Sequence, residues 1–255
     1  MNAFLKNTLA AAALGLTLSA GAAPAAANPV PATTVVLVHG AFADGSAWNK
    51  VVPRLQAKGL KVVSVQNPLT SLADDVAATR RVLDAQTGPV VLVGHSWGGV
   101  VITEAGQHER VKSLVYVAAF APAEGQSVTD MSKGYPTPEG FKYIVADKEG
   151  FLTLTSEGIA KHFAQDVPAA ETNLMAVTQG PVNGAAFDAK TTVAAWKTRP
   201  SWFIVSKQDH MIQPAQEEAM AQAIGATVVS LPTSHVPQVS RPKEVADAII
   251  AAAGR

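Results

Sequence analysis

No cysteine occurs anywhere in this chain. That excludes disulfides, thiolate zinc sites and a lipoprotein attachment site, so the fold must be held by its core alone. Charge is sparse and balanced. Lys plus Arg equals Asp plus Glu, 20 each, and charged residues make up 16% of the chain. With no basic run either, the sequence argues against electrostatic binding of nucleic acid. Past the first 30 residues no apolar segment reaches transmembrane length, and there is no 20–50-residue repeat or low-complexity tract.

The N-terminus has the pattern of an export signal. Lys6 supplies a positive start, Leu9 to Leu18 an apolar stretch too short to span a bilayer, and small residues follow. Ala20-Gly21-Ala22 and Ala25-Ala26-Ala27 both fit small-x-small cleavage rules, so residues 1–27 are expected to be a signal peptide cut near 22 or 27. The expected location is secreted or periplasmic, with no membrane span after cleavage. The remaining chain, 28–255, suits one α/β domain with a sizeable core.

Short β-branched runs alternate with helical patterns, which predicts a mostly parallel sheet covered by helices on both faces. The strands read as Thr34–Val38, Lys61–Val65, Val90–Val93, Ser113–Val117, Trp202–Val205 and Thr227–Leu231. Helices are predicted over Ser46–Lys58, Leu72–Gln86, Val100–Gln107, Gln216–Ile224 and Pro242–Ala252, with Gly59 and Gly225 as C-terminal caps. The alternation fails between about residues 121 and 199, where prolines interrupt scattered apolar residues. This stretch is expected to be a small, mainly helical cap.

Chemistry enters with Gly94-His95-Ser96-Trp97-Gly98-Gly99, directly after the apolar run Val90–Val93. G-x-S-x-G at a strand-to-helix junction is a nucleophile elbow, in which glycines permit a sharp turn that exposes the serine hydroxyl. A serine needs a base, an orienting acid and donors for the oxyanion, and behind an elbow the partners follow in the order acid, then histidine. Asp209 lies four residues past Val205 and His235 four past Leu231, both at predicted strand ends. Glu124 is the reserve acid; Asp188 and Glu217 read as surface charges. Of the other histidines, His39 and His95 read as packing residues of their glycine motifs, and His108 and His162 as solvated. The pair His39-Gly40 ending the first strand makes the backbone N–H groups of Ala41 and Trp97 the expected oxyanion hole. Phe42, Phe120, Tyr135, Phe163 and Val236 are the candidate substrate-binding residues. No metal site is read.

The ordered set His39-Gly40-Ala41, Gly94 to Gly99, Asp209 and His235 resembles the α/β-hydrolase superfamily. Leu37 to Ala41 followed by Trp48, together with Val115 to Pro122, is similar to the small plant methylesterase and hydroxynitrile lyase group and its bacterial esterase relatives. The resemblance implies the α/β-hydrolase fold and a Ser–His–Asp hydrolase with a modest cap and no cofactor. Lyases of that group carry a threonine and a lysine where this chain has Gly40 and Val236, which disfavours lyase activity. Dehalogenases and epoxide hydrolases of the superfamily have an aspartate where Ser96 stands. The expected function is cleavage of small to medium hydrophobic carboxylic esters, with a small-molecule ester as the partner. Acyl transfer, perhydrolysis or C–C hydrolysis would use the same residues, and a non-catalytic binding protein on this fold is a further alternative.

Overall fold

β-Branched side chains suit a pleated surface buried on both faces, and the Val-rich runs form the central sheet. The structure is a computed structural model that describes residues 33–254. The leader expected over 1–27 lies outside the described residues. In chain order the strands are β1 (Thr34–Val38), β2 (Lys61–Val65), β3 (Val90–His95), β4 (Val111–Val117), three short strands of the insert, β5 (Ile144–Ala146), β6 (Phe151–Leu154) and β7 (Val182–Asn183), then β8 (Ser201–Ser206) and β9 (Thr227–Leu231). Six of them pair in the order β2-β1-β3-β4-β8-β9, every pair parallel.

Alternation along these strands divides the core in two. Val36 and Val38, Leu92, Leu114 and Tyr116, and Phe203 face one side. Val35 and Leu37, Val91 and Val93, Val115 and Val117, and Ile204 face the other. The helices are α1 (Val52–Gln56), α2 (Leu72–Asp84), α3 (Gly98–Ala105), the insert's α4 (Val128–Ser132), α5 (Ser156–Gly158) and α6 (Ala169–Thr178), then α7 (Pro214–Ala223), α8 (Pro237–Ser240) and α9 (Pro242–Ala252). Helices α2, α3 and α7 cover the first face, through residues such as Val76, Val100 and Met220. Helices α1 and α9 cover the second, through Leu55, Val245 and Ile249.

The helix predicted over Ser46–Lys58 is broken. A 3₁₀ turn, Gly45–Trp48, precedes α1, which carries Pro53 in its first turn. An unbroken helix would put that proline inside, without an N–H and against the carbonyl of Asn49. Gly59 and Gly225 cap their helices in the left-handed region, at φ 74° and 63°.

The insert between β4 and β8 combines short helical turns with an antiparallel sheet, β5-β6-β7. The sequence reading missed this sheet because strands of two to four residues carry no measurable period. The insert's ends are tied together. Trp196 Nε1 donates to Pro122 O at 2.8 Å, and Thr191 Oγ1 donates to Ala123 O at 2.8 Å. Buried Glu104 of α3 fastens it from below, accepting Thr192 N at 2.8 Å.

Chain direction sets the site. From β1 the chain moves outward to β2, then returns to the opposite side of β1 to form β3. In such a sheet ligands bind beyond the strand C-termini where the order reverses. Here that point lies after Val38 and Gly94, which are register partners. Because Leu92 is fully buried at the centre of β3, Leu92→Ala is expected to cost about 2–5 kcal/mol in denaturant-monitored unfolding.

Candidate active site

Ser96 sits between β3 and α3 with φ 51°, a conformation L-residues adopt rarely. Crowding holds it there. A Cβ on Gly98 would lie 2.5 Å from Val38 O, and one on Gly40 would lie 2.8 Å from Ser96 Cβ. A Cβ on Gly94 would collide with the Gly98 carbonyl. Ser96 N donates to Val117 O at 3.1 Å, while Ser96 O accepts Gly99 N at 3.0 Å. The turn is thus fixed between the ends of β1 and β4.

The loop after β1 is braced through His39. Its Nε2 accepts Asn67 N at 2.9 Å, so Nδ1 carries the proton and donates to Gly40 O at 2.9 Å. Burial lowers the His39 pKa, which keeps the ring neutral. Phe42, next to Ala41, is also left-handed at φ 57°. Among the described residues neither the Ala41 nor the Trp97 backbone N–H has an acceptor within the protein. Such N–H groups at a strained turn can serve a developing oxyanion.

Asp209 and His235 meet at the strand ends. His235 Nδ1 donates to Asp209 Oδ2 at 2.5 Å, and both side chains are almost wholly buried. Asp209 Oδ1 accepts Met211 N at 2.6 Å and Ile212 N at 2.9 Å, which locks the carboxylate. With Nδ1 protonated, Nε2 of His235 is left with a lone pair. His95 holds the same loop, its Nε2 donating to His235 O at 2.8 Å. Burial, then the neighbouring His235, pushes the His95 pKa well down, so this ring too is neutral.

Ser96 and His235 line one cavity of about 460 Å³ with Ala41 and Phe42. Its walls come mainly from the insert, including Val128, Phe141, Ile144, Leu152 and Phe187, with Met211 and Ile212 from the loop after β8. Of the five candidate substrate residues, Phe42 and Phe120 line this cavity. Tyr135 lines a smaller neighbouring one of about 110 Å³ that Phe120 also borders. Phe163 and Val236 line neither. Phe163 is fully buried and packs its ring 5.1 Å from that of His235, and Val236 is buried at the start of α8. Trp97 does not line the cavity. Its Nε1 donates to buried Asp75 at 2.7 Å, and its ring meets Phe187 edge-on at 5.4 Å.

The other acids and histidines divide differently from the sequence reading. Glu124 is exposed, 3.8 Å from Lys197 and away from the cavity; Asp188 is exposed as expected. Glu217 is not a surface charge. It is fully buried in α7, accepts Ser206 N at 2.9 Å and lies against Asp209. Burial, then the neighbouring Asp209, pushes its carboxyl well above the usual range. Nor are His108 and His162 solvated. His108 is mostly buried 3.1 Å from Asp84, and His162 stacks on Tyr143 at 4.7 Å.

A model of the alpha/beta hydrolase family matches residues 35–248. The pyrethroid hydrolase of Sphingobium wenxiniae is 29% identical over 253 residues, spanning 85% of this chain and 86% of its own. Methylesterase 2 of Arabidopsis thaliana is 26% identical, over 86% of this chain and 95% of its own. Among solved structures, a pyrethroid hydrolase superposes with a TM-score of 0.78 at 25% identity, covering 88% of this chain and 98% of that one.

The buried carboxyl pair generates a pH prediction. Unfolded, Glu217 ionises around its ordinary 4.5; folded, it stays protonated well above that. The native state therefore holds an extra proton, and this residue's contribution to stability falls as pH rises past the unfolded value. Glu217→Gln keeps the shape and removes the effect. Its melting temperature relative to wild type is expected to rise between about pH 5 and pH 8 and to converge below about pH 4. A pH-independent difference would show Glu217 to be ionised in the fold.

Proposed function

Because the chain belongs to the alpha/beta hydrolase family, we propose that it is an exported carboxylic-ester hydrolase working through Ser96, His235 and Asp209. The observation that carries this reading is the 2.5 Å bond from His235 to a buried Asp209, with His235 and Ser96 on one cavity wall. His235 Nε2 takes the Ser96 proton as the hydroxyl oxygen attacks the ester carbonyl. The N–H groups of Ala41 and Trp97 receive the negative charge of the tetrahedral intermediate. His235 then gives its proton to the leaving alcohol, and a water activated by the same nitrogen releases the acid from Ser96. Asp209 holds the imidazole in the required tautomer and stabilises its cation.

The substrate class follows from the cavity. Apolar and aromatic walls around few polar groups suit a hydrophobic ester of small to medium size. Lys133 at the wall is paired with Asp130 at 2.8 Å, so among the described residues that line the cavity no unpaired Lys or Arg is there to hold an anionic substrate. One relative is named a pyrethroid hydrolase and another a methylesterase, which supports the same class. Export rests on the leader pattern of the first 27 residues.

Ser96→Ala is expected to lower ester turnover by about a thousandfold or more with the fold intact, as followed by circular dichroism. Asp209→Asn, which favours the wrong imidazole tautomer, should lose about ten-thousandfold in kcat. Turnover near wild type in purified Ser96→Ala would remove the mechanism. Across p-nitrophenyl esters, neutral short-to-medium acyl groups should be preferred, and a preference for carboxylated acyl groups would overturn the substrate class.

A further inference from the structure

We propose that Glu139, His162 and His210 form a binding site for a divalent transition-metal ion of the zinc type, joining the insert to the loop that carries Asp209. The three side chains come from separate places. Glu139 opens a 3₁₀ turn, Glu139–Tyr143; His162 lies in a single π-helical turn, Ile159–Phe163; His210 follows β8. One ligand atom of each lies within 4.8 Å of the other two. The two Nδ1 atoms are 3.3 Å apart, and His162 Nδ1 is 3.9 Å from Glu139 Oε2. Two nitrogens at about 2.0–2.1 Å from a tetrahedral zinc are separated by about 3.3–3.4 Å. The imidazoles therefore already stand at the edge length of a zinc tetrahedron. A small rotation of the exposed Glu139 side chain brings in the third ligand.

The supports around the cluster are rigid where a metal site needs them to be. Gly140 N donates to His210 O at 3.0 Å, binding the Glu139 turn to the His210 loop. A Cβ on Gly140 would meet the His210 carbonyl oxygen at 3.0 Å and displace the Met211 sulfur, so glycine here favours the close approach. Tyr143 stacks on the His162 ring at an interplanar angle of 28° and fixes its direction. A π-helical turn in a short helix is uncommon and recurs at functional sites. Here it turns His162 toward His210 while placing Phe163 against His235. Glu139 and His210 border an open surface cavity, which gives an ion and a fourth, water ligand a route in. Two histidines, one carboxylate and an open position suit zinc and its neighbours rather than magnesium or calcium. The nearby Lys161 is paired with Glu157 at 2.8 Å and does not occupy the carboxylate of Glu139.

The test needs no turnover, so it is independent of the proposed reaction. Untagged full-length protein, stripped with a chelator, is titrated with Zn²⁺ in a calorimeter. One equivalent is expected to bind saturably and to raise the melting temperature, since the ion binds the folded chain. His162→Ala and His210→Ala should each weaken binding at least about tenfold, while His235→Ala leaves it unchanged. Absence of saturable binding to the wild-type chain would overturn the proposal, as would undiminished affinity in the double variant His162→Ala/His210→Ala. Should either variant lose its circular-dichroism signal, wild type loaded with Co²⁺ decides. Intense visible bands of a four-coordinate ion are expected, and the weak spectrum of a six-coordinate ion refutes the site.

Discussion

Ser96 holds a backbone conformation that side-chain-bearing residues avoid, and what enforces it is the approach of three chain segments to one turn. The end of β1 presses on Gly98, the segment after β4 presses on Gly99, and Gly40 lies under Ser96 itself. Positive φ recurs at Phe42 and Ala118 in the same neighbourhood. Strain of this kind survives only where the surroundings over-determine it, and it concentrates at sites that use it. The turn puts Ser96 on the wall of the cavity and leaves the Trp97 N–H without an acceptor within the protein. A looser turn would lose both together.

Around that turn burial acts on several titratable side chains. His39 and His95 are kept neutral by burial, and Glu217 is kept protonated by burial beside Asp209. Asp209 Oδ2 accepts the Nδ1–H of His235, and its other oxygen accepts the Met211 and Ile212 N–H groups, which fixes the carboxylate in place. An imidazolium forming at His235 would meet that carboxylate along an existing hydrogen bond.

Much of this was legible in the residues. The unbroken apolar run Val35-Val36-Leu37-Val38 marks β1, and the sequence boundaries of β1, β2, β9 and α9 coincide with those in the structure. The glycine motifs and the strand-end positions of Asp209 and His235 point to the rim because turn geometry and the succession of strands along the chain can be read locally. The cavity walls were not legible. Phe141, Ile144, Leu152 and Phe187 belong to elements too short to show a period, and only their tertiary placement makes them a wall. Phe163 and Val236 were chosen for their type and their neighbours in sequence, yet one packs on an imidazole and the other is buried at the start of a helix. Glu217 looked like any helical acid because nothing local reveals that its face of α7 lies against Asp209. The pairing of His162 with His210 spans 48 positions and left no trace in either segment.

The insert leaves the sheet at Pro122–Ala123 and is stitched to that same spot by Thr191 and Trp196 before re-entering at β8. Strands β4 and β8 remain hydrogen-bonded neighbours, as if nothing had been placed between them. The arrangement is that of a detachable module with a common entrance and exit. A change in its length or lining would leave the pairing of β4 with β8 untouched. The shape of the cavity and the register of the sheet are therefore set by separate parts of the chain.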